Sequence, residues 1–293
     1  MSHDHHLTVE SLLISGTLFL IGLVYLHQWM RLAWLVPDGL KDWRACTFFA
    51  GLLLVWVSLG TSLSVLDHQS LTAHMVQHLL LMTVAPPLIL LGAPWRLLPQ
   101  RPVQRLVKLI ARPLRSAPVQ RLAGALTHPV VCWLGAAATL VVWHVPAVFM
   151  LGLQSEMWHG IEQASFLATG LLFWWPVVVP PRNSVTWPES SILLYLFMAT
   201  LPCDILSGFL VFCDRVVYPV FLSSSHSFGL SALEDQQCAG ALMWTCVTVV
   251  YLMAATIIAA RLLSPHRSEE PPILPFEPKR SAVQTAPQGM EAV

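Results

Sequence analysis

The stretch LTAHMVQHLLLMTVAPP holds two histidines four residues apart, His74 and His78, with Met82 four residues further on. On a helix this spacing puts all three on one face, with neighbouring Cβ atoms about 5–6 Å apart. Imidazole and thioether are the donors of copper sites, the thioether especially for Cu(I). A single His pair is equally the mark of hydrogen-bonded structural histidines. What decides between them is whether other elements bring matching groups to the same place.

Those elements are membrane helices. Only 11% of the 293 residues are charged and 55% are hydrophobic, with a mean hydropathy of +0.63. A soluble domain carries roughly a quarter charged residues, so this chain has too few to coat a water-facing surface. The formal net charge is zero, which speaks against nucleic acid as a partner and leaves the lipid bilayer. Twelve Trp and 22 Pro suit such a chain, because Trp anchors interfaces and Pro is tolerated within spans. The six Cys form no CxxC pair and read as small buried hydrophobes, not a zinc module.

The expected fold is all-α, a polytopic membrane helix bundle. A span needs about 20 mostly apolar residues, and seven candidates qualify: 8–28, 45–66, 72–93, 128–150, 159–180, 190–212 and 238–262. The first follows MSHDHH, with no basic residue ahead of it, and reads as a retained helix and not a signal peptide. With the N-terminus outside, every Lys and Arg except Arg215 falls on the cytoplasmic side, as the positive-inside rule requires. Residues 1–262 thus form the seven-helix domain. Its basic cytoplasmic loop, 94–127, either lies on the anionic inner leaflet or simply sets topology. The Pro-rich, polar segment 263–293 reads as a disordered cytoplasmic tail.

Polar groups inside spans are costly and therefore informative. At about 1.5 Å per residue, His78 lies on the order of 9 Å below the outer end of its helix. His144, in the outward-running VVWHVPAVFM, sits about as deep. His159 begins the next span near the outer surface, with Glu162 one turn below. Asp204 lies just outside the midplane beside Pro202 and Cys203, while Asp235, Gln236 and Gln237 mark the outer boundary above Met243. Depth does not fix radial direction. The competing reading is a set of interfacial side chains and satisfied interhelical hydrogen bonds. Pro86, Pro87, Pro146, Pro176 and Pro202 also interrupt these spans and free backbone carbonyls that can line a cavity.

In order along residues 70–255 stand HMVQHLLLMTVAPPLILLGAP, WHVPAVF, the HxxE of WHGIEQASF followed by FWWP, and EDQQCAGALMW. Together these motifs resemble the CtaG family of cytochrome c oxidase assembly factors. The resemblance implies a multi-pass protein of the bacterial cytoplasmic (inner) membrane, needed to make active haem–copper oxidase, in connection with its copper. It carries the family's polar positions onto His74, Met75, His78, His144, His159, Glu162, Asp235 and Gln236. One departure is Gln163, where the family pattern has a second His.

The expected function is an assembly factor, not an enzyme, that assists copper delivery from the non-cytoplasmic side to haem–copper oxidase subunits, with copper chaperones as further partners. His74, His78, His144, His159, Met75 and Met82 are the expected copper ligands. Glu162, Asp204, Asp235, Gln236 and Gln237 are expected to orient them or to dock a partner. The motifs GxSxG, Walker A and the dinucleotide fingerprint are absent from the sequence. Two other classes stay open: a membrane haem or redox protein with His on facing helices, and a copper transporter using Asp204 and the histidines. The topology is checked by reporter fusions. A reporter at residue 110 or after residue 270 should be cytoplasmic, and one near residue 155 or 225 exported. A cytoplasmic signal near 155 inverts the bundle and removes the external site.

Overall fold

The computed structural model describes residues 2–35, 42–60, 66, 69–94, 117–179, 188–222 and 229–264. Most of the basic loop and nearly all of the tail lie outside these residues. Among the described residues every regular element is helical. In chain order they are α1 (Ser2–Leu35), α2 (Asp42–Gly60), α3 (Leu71–Leu79), one π-helical turn (Leu80–Val84) and α4 (Ala85–Leu91). Then follow α5 (Ala117–Leu126), α6 (Pro129–His144), α7 (Pro146–Gln154), α8 (Glu156–Val178), α9 (Glu189–Phe212), a short 3-10 turn (Pro219–Leu222) and α10 (Ala232–Leu263).

Among the described residues, five helices are long and apolar enough to cross a membrane: α1, α2, the continuous α3–α4, α9 and α10. The α6–α7 pair adds a sixth if counted as one broken span. The single span expected over 128–150 is in fact two helices that meet at 77°. Pro146 explains the break, because its ring disfavours the helical conformation at the preceding residue. Val145 is accordingly extended, at φ −65° and ψ 124°. Helix α8 corresponds to the candidate at 159–180 and is 23 residues long. Its His159, Glu162, Gln163 and paired Trp174–Trp175 dilute its apolar character.

The bundle is apolar outside and largely apolar within, with a small set of polar residues enclosed in its core. On α9, Leu194, Phe197, Ile205 and Phe212 point outward, while Ser207 is fully buried. His74, His78, His144, His159, Glu162, Asp235 and Gln236 are all buried. Helix α10 packs between α9 and α3, and α8 packs on α6 and on the π turn. Cys132 and Cys203 are buried as expected, whereas Cys46 and Cys238 face outward.

The π turn follows from two prolines. Pro86 and Pro87 have no N–H, so the carbonyls one helical turn before them lose their regular partners. The chain widens locally, and the Ala85 N–H bonds the Leu80 carbonyl five residues back. Helix α8 meets the widened turn at Gly170. A Cβ there would stand 2.8 Å from both Cα and O of Met82. Gly170→Val should therefore lower stability by about 1–3 kcal/mol through overpacking. Gly160 on the same helix has open space around it, so Gly160→Val should be tolerated. Thermal melts of the two variants in detergent make the comparison.

Candidate metal centre

The depth of His74 and His78 is fixed by a carboxylate from another helix. Asp235 of α10 accepts hydrogen bonds from the Leu71 N–H (2.7 Å), the Thr72 N–H (3.2 Å) and the Ser70 hydroxyl (2.8 Å). These are orphan donors of the first turn of α3, where an anion is favoured. The Thr72 hydroxyl donates to the Asp235 carbonyl (3.0 Å), which locks the two helices in register. On the other side, the Gln77 amide donates to the Ser58 carbonyl (2.8 Å), and the Ser58 hydroxyl donates to the Gln77 carbonyl (3.2 Å). Helix α3 is thereby tied to both α10 and α2.

Glu162 of α8 enters between the two histidines. Its Oε1 lies 3.5 Å from His74 Nε2 and 3.4 Å from His78 Nε2. One donor atom from each of the three residues falls within 4.8 Å of the others. Both distances exceed the usual N–H···O range of about 2.7–3.2 Å. Both nitrogens of His74, both of His78 and both oxygens of Glu162 are buried without a hydrogen-bond partner. An unpaired buried polar group costs about 1–3 kcal/mol, more when charged. A shared cation would satisfy one such atom from each of the three residues, and two imidazoles with one carboxylate are a donor set for a borderline metal ion.

The packing holds this arrangement. A Cβ at Gly152 would stand 2.8 Å from Glu162 Oε2, so glycine on α7 leaves room for the carboxylate where it stands, and a side chain there would displace it. Phe166 stacks on His78 at 4.0 Å between ring centroids, and Phe149 meets His74 edge-on at 4.9 Å.

The other two histidines flank the cluster, with ring centroids 6.1 Å apart for His78–His144 and 6.0 Å for His74–His159. His144 places Nδ1 2.7 Å from the Leu140 carbonyl and Nε2 3.3 Å from Met75 Sδ. The break at Val145 frees the His144 carbonyl, which accepts from the Tyr218 hydroxyl (2.9 Å). The Gln163 amide nitrogen lies 2.9 Å from His159 Nε2 and donates to it. Gln163 thus engages the His159 ring directly.

Glu162, expected in an orienting or docking part, stands among the histidines. Met75 and Met82 line a cavity of about 40 Å³ with His78 and His144. Asp235 and Gln236 act on the backbone. Gln236 accepts from the Val217 N–H (2.7 Å) and donates to the Leu210 and Arg215 carbonyls (3.3 and 3.2 Å), pinning the turn after α9. Gln237 is half-buried beside it. Asp204 is half-buried with Oδ1 unpartnered, and it does not join the cluster. Gly152, Phe166 and Tyr218 were not anticipated. Phe166 closes the WHGIEQASF motif one turn after Glu162, whereas Gly152 and Tyr218 carry no such signal; the i, i+3 spacing of His159 and Glu162 does put that carboxylate on a facing turn.

The sequence pattern of the cytochrome c oxidase caa3 assembly factors (Caa3_CtaG) matches residues 23–264. The chain belongs to that family. Membership indicates a cytochrome c oxidase assembly factor, and the match spans the whole buried cluster. No curated protein and no solved structure matches the chain.

Asp235→Ala should strand the Leu71 and Thr72 N–H groups and the Ser70 hydroxyl, and lower stability by about 1–3 kcal/mol or more. Asp204→Asn removes a carboxylate whose buried oxygen bonds nothing and should leave the melting temperature unchanged or raise it. Equal melting of the two variants would contradict the assignment of Asp235 as the clamp between α3 and α10.

Proposed function

We propose that this family member is a membrane-embedded assembly factor for haem–copper cytochrome c oxidase that holds copper as cargo on the non-cytoplasmic side of the bilayer and passes it to an oxidase subunit. The observation that carries this reading is the set of buried, unpartnered donor atoms on His74, His78 and Glu162. These three residues hold the ion, with His144 and His159 flanking. The protein contributes fixed donors, a dry surround from Phe149 and Phe166, and one negative charge against the charge of the ion.

The seven-span topology belongs to the same proposal. Helix α8 supplies the seventh span, because 23 residues reach roughly 34 Å at 1.5 Å per residue against a hydrocarbon core of about 30 Å. Seven spans put the termini on opposite sides, and the basic asymmetry puts the N-terminus outside. The cluster then lies in the outer leaflet, where copper chaperones and nascent oxidase subunits on that side have access.

Size speaks against the haem reading. The cavity beside His78 and His144 is about 40 Å³, room for a few waters at roughly 10–15 Å³ each but not for a macrocycle. Deeper in the bundle, Phe173 stacks on Tyr195 at 4.9 Å and on Tyr251 at 5.4 Å. That aromatic layer speaks against a through-path for a transported ion.

Deleting the protein should lower haem–copper oxidase activity with transcription of the oxidase subunits intact, and added copper should restore part of it. His78→Ala and Glu162→Gln should each reduce copper per purified protein and oxidase activity at normal accumulation. Full copper content and full oxidase activity in both variants would sink the reading.

A further inference from the structure

Inward of the carboxylate cluster, the donors change from oxygen to sulfur. The cavity of about 40 Å³ beneath His78 is lined by Met75, Met82, Met243 and Cys203 together with His78 and His144. These come from α3 and the π turn, α6, α9 and α10. No Asp or Glu lines it.

The hydrogen bonds of His144 give this cavity a direction. A carbonyl oxygen only accepts, so the contact of 2.7 Å to Leu140 O requires the proton on Nδ1. In the neutral ring Nε2 then carries a lone pair, and it faces Met75 Sδ at 3.3 Å. A thioether sulfur has no proton to give. Two buried acceptors therefore confront each other, an arrangement that a cation between them makes favourable. With metal–nitrogen and metal–sulfur bonds of roughly 2.0 and 2.3 Å, this separation corresponds to an angle of about 100° at a shared ion.

We propose that His144 Nε2 and Met75 Sδ, with the Met82 and Met243 thioethers, form a second site, for a soft monovalent cation of the Cu(I) class. It is distinct from the His74–His78–Glu162 cluster and linked to it through His78, which borders both. The inference rests on the reading of this protein as a copper handler and adds a division of labour within it. Thioethers select soft ions. The charging energy of a buried ion grows as the square of its charge, so a cavity without a carboxylate favours a monovalent ion over a divalent one. The cluster above, with the Glu162 carboxylate, suits the divalent ion.

The test uses the purified full chain in detergent, with Ag(I) as a redox-inert probe of the soft site and Co(II) absorption as a probe of the carboxylate cluster. Met75→Leu keeps size and apolarity and should weaken Ag(I) binding roughly tenfold or more. Co(II) binding should stay within about twofold of wild type. Glu162→Gln should do the reverse. X-ray absorption of the Cu(I)-loaded protein should show sulfur scattering that diminishes in Met75→Leu and further in the double variant with Met243→Leu. Unchanged Ag(I) affinity and sulfur scattering in Met75→Leu would mean that the methionines only fill the core, and the site is overturned. An equal loss of Ag(I) and Co(II) would overturn the separation of the two sites. Absence of Co(II) binding in wild type would count against the carboxylate cluster, while the Ag(I) arm still decides the soft site.

Discussion

A carboxyl group and two imidazoles enclosed in the interior of an apolar bundle set the terms for everything around them. Glu162, His74 and His78 are at most 5% exposed, and no hydrogen bond from another protein group satisfies their donor atoms. In a medium of low polarity such groups repel compact packing unless something fixes them and something neutralises them. Much of the outer half of the structure supplies the fixing. Asp235 sets the height of α3, Gly152 makes space for the carboxylate, and Phe149 and Phe166 wedge the rings. In the proposed function, the neutralising partner is the copper cargo.

The broken helices serve the same end. A straight α6–α7 span would run past the cluster. The turn at Pro146 instead brings Gly152 and Phe149 back over it, within reach of Glu162 and His74. The freed His144 carbonyl is recovered by Tyr218, so the bend leaves no orphan there. At the π turn the extra width brings the Met82 backbone against Gly170 of α8, so the helix that carries Glu162 meets the chain that carries the histidines. Prolines in apolar helices often only kink them; here each break is matched by a contact that orients a polar residue.

Axial position was legible in the sequence and azimuth was not. Counting residues along each span placed His78 and His144 at one depth, and their rings are indeed 6.1 Å apart. The HxxE spacing on α8 likewise put Glu162 one turn below His159. Counting could not tell that Asp204 turns away while Glu162 turns in, because radial direction depends on how helices pack. Nor could it tell that Asp235 and Gln236 spend their polar groups on backbone donors and acceptors, since a capping carboxylate and a ligand carboxylate are the same residue type. Met75 sits beside His74 in the chain, about 100° around a helix, so the face shared by His74, His78 and Met82 omits it. Only the family resemblance pointed there. The bend at Pro146 was visible as a proline, but its angle is set by what α7 packs against.

An aromatic layer closes over the cluster. Phe149 packs on Tyr218 at 4.2 Å and on Phe221 at 6.0 Å between ring centroids, and all three are buried. This aromatic layer belongs to α7 and to the turn between α9 and α10. Neither is held by a long interface. The turn is pinned by Gln236 at three backbone atoms and by the Tyr218 hydroxyl at a fourth. Each such bond is worth about 0.5–1.5 kcal/mol net, and the clamp of α3 by Asp235 and Thr72 is likewise four hydrogen bonds. The cover and the clamp are thus held by similar polar contacts, to which the cover adds the burial of Phe149, Tyr218 and Phe221.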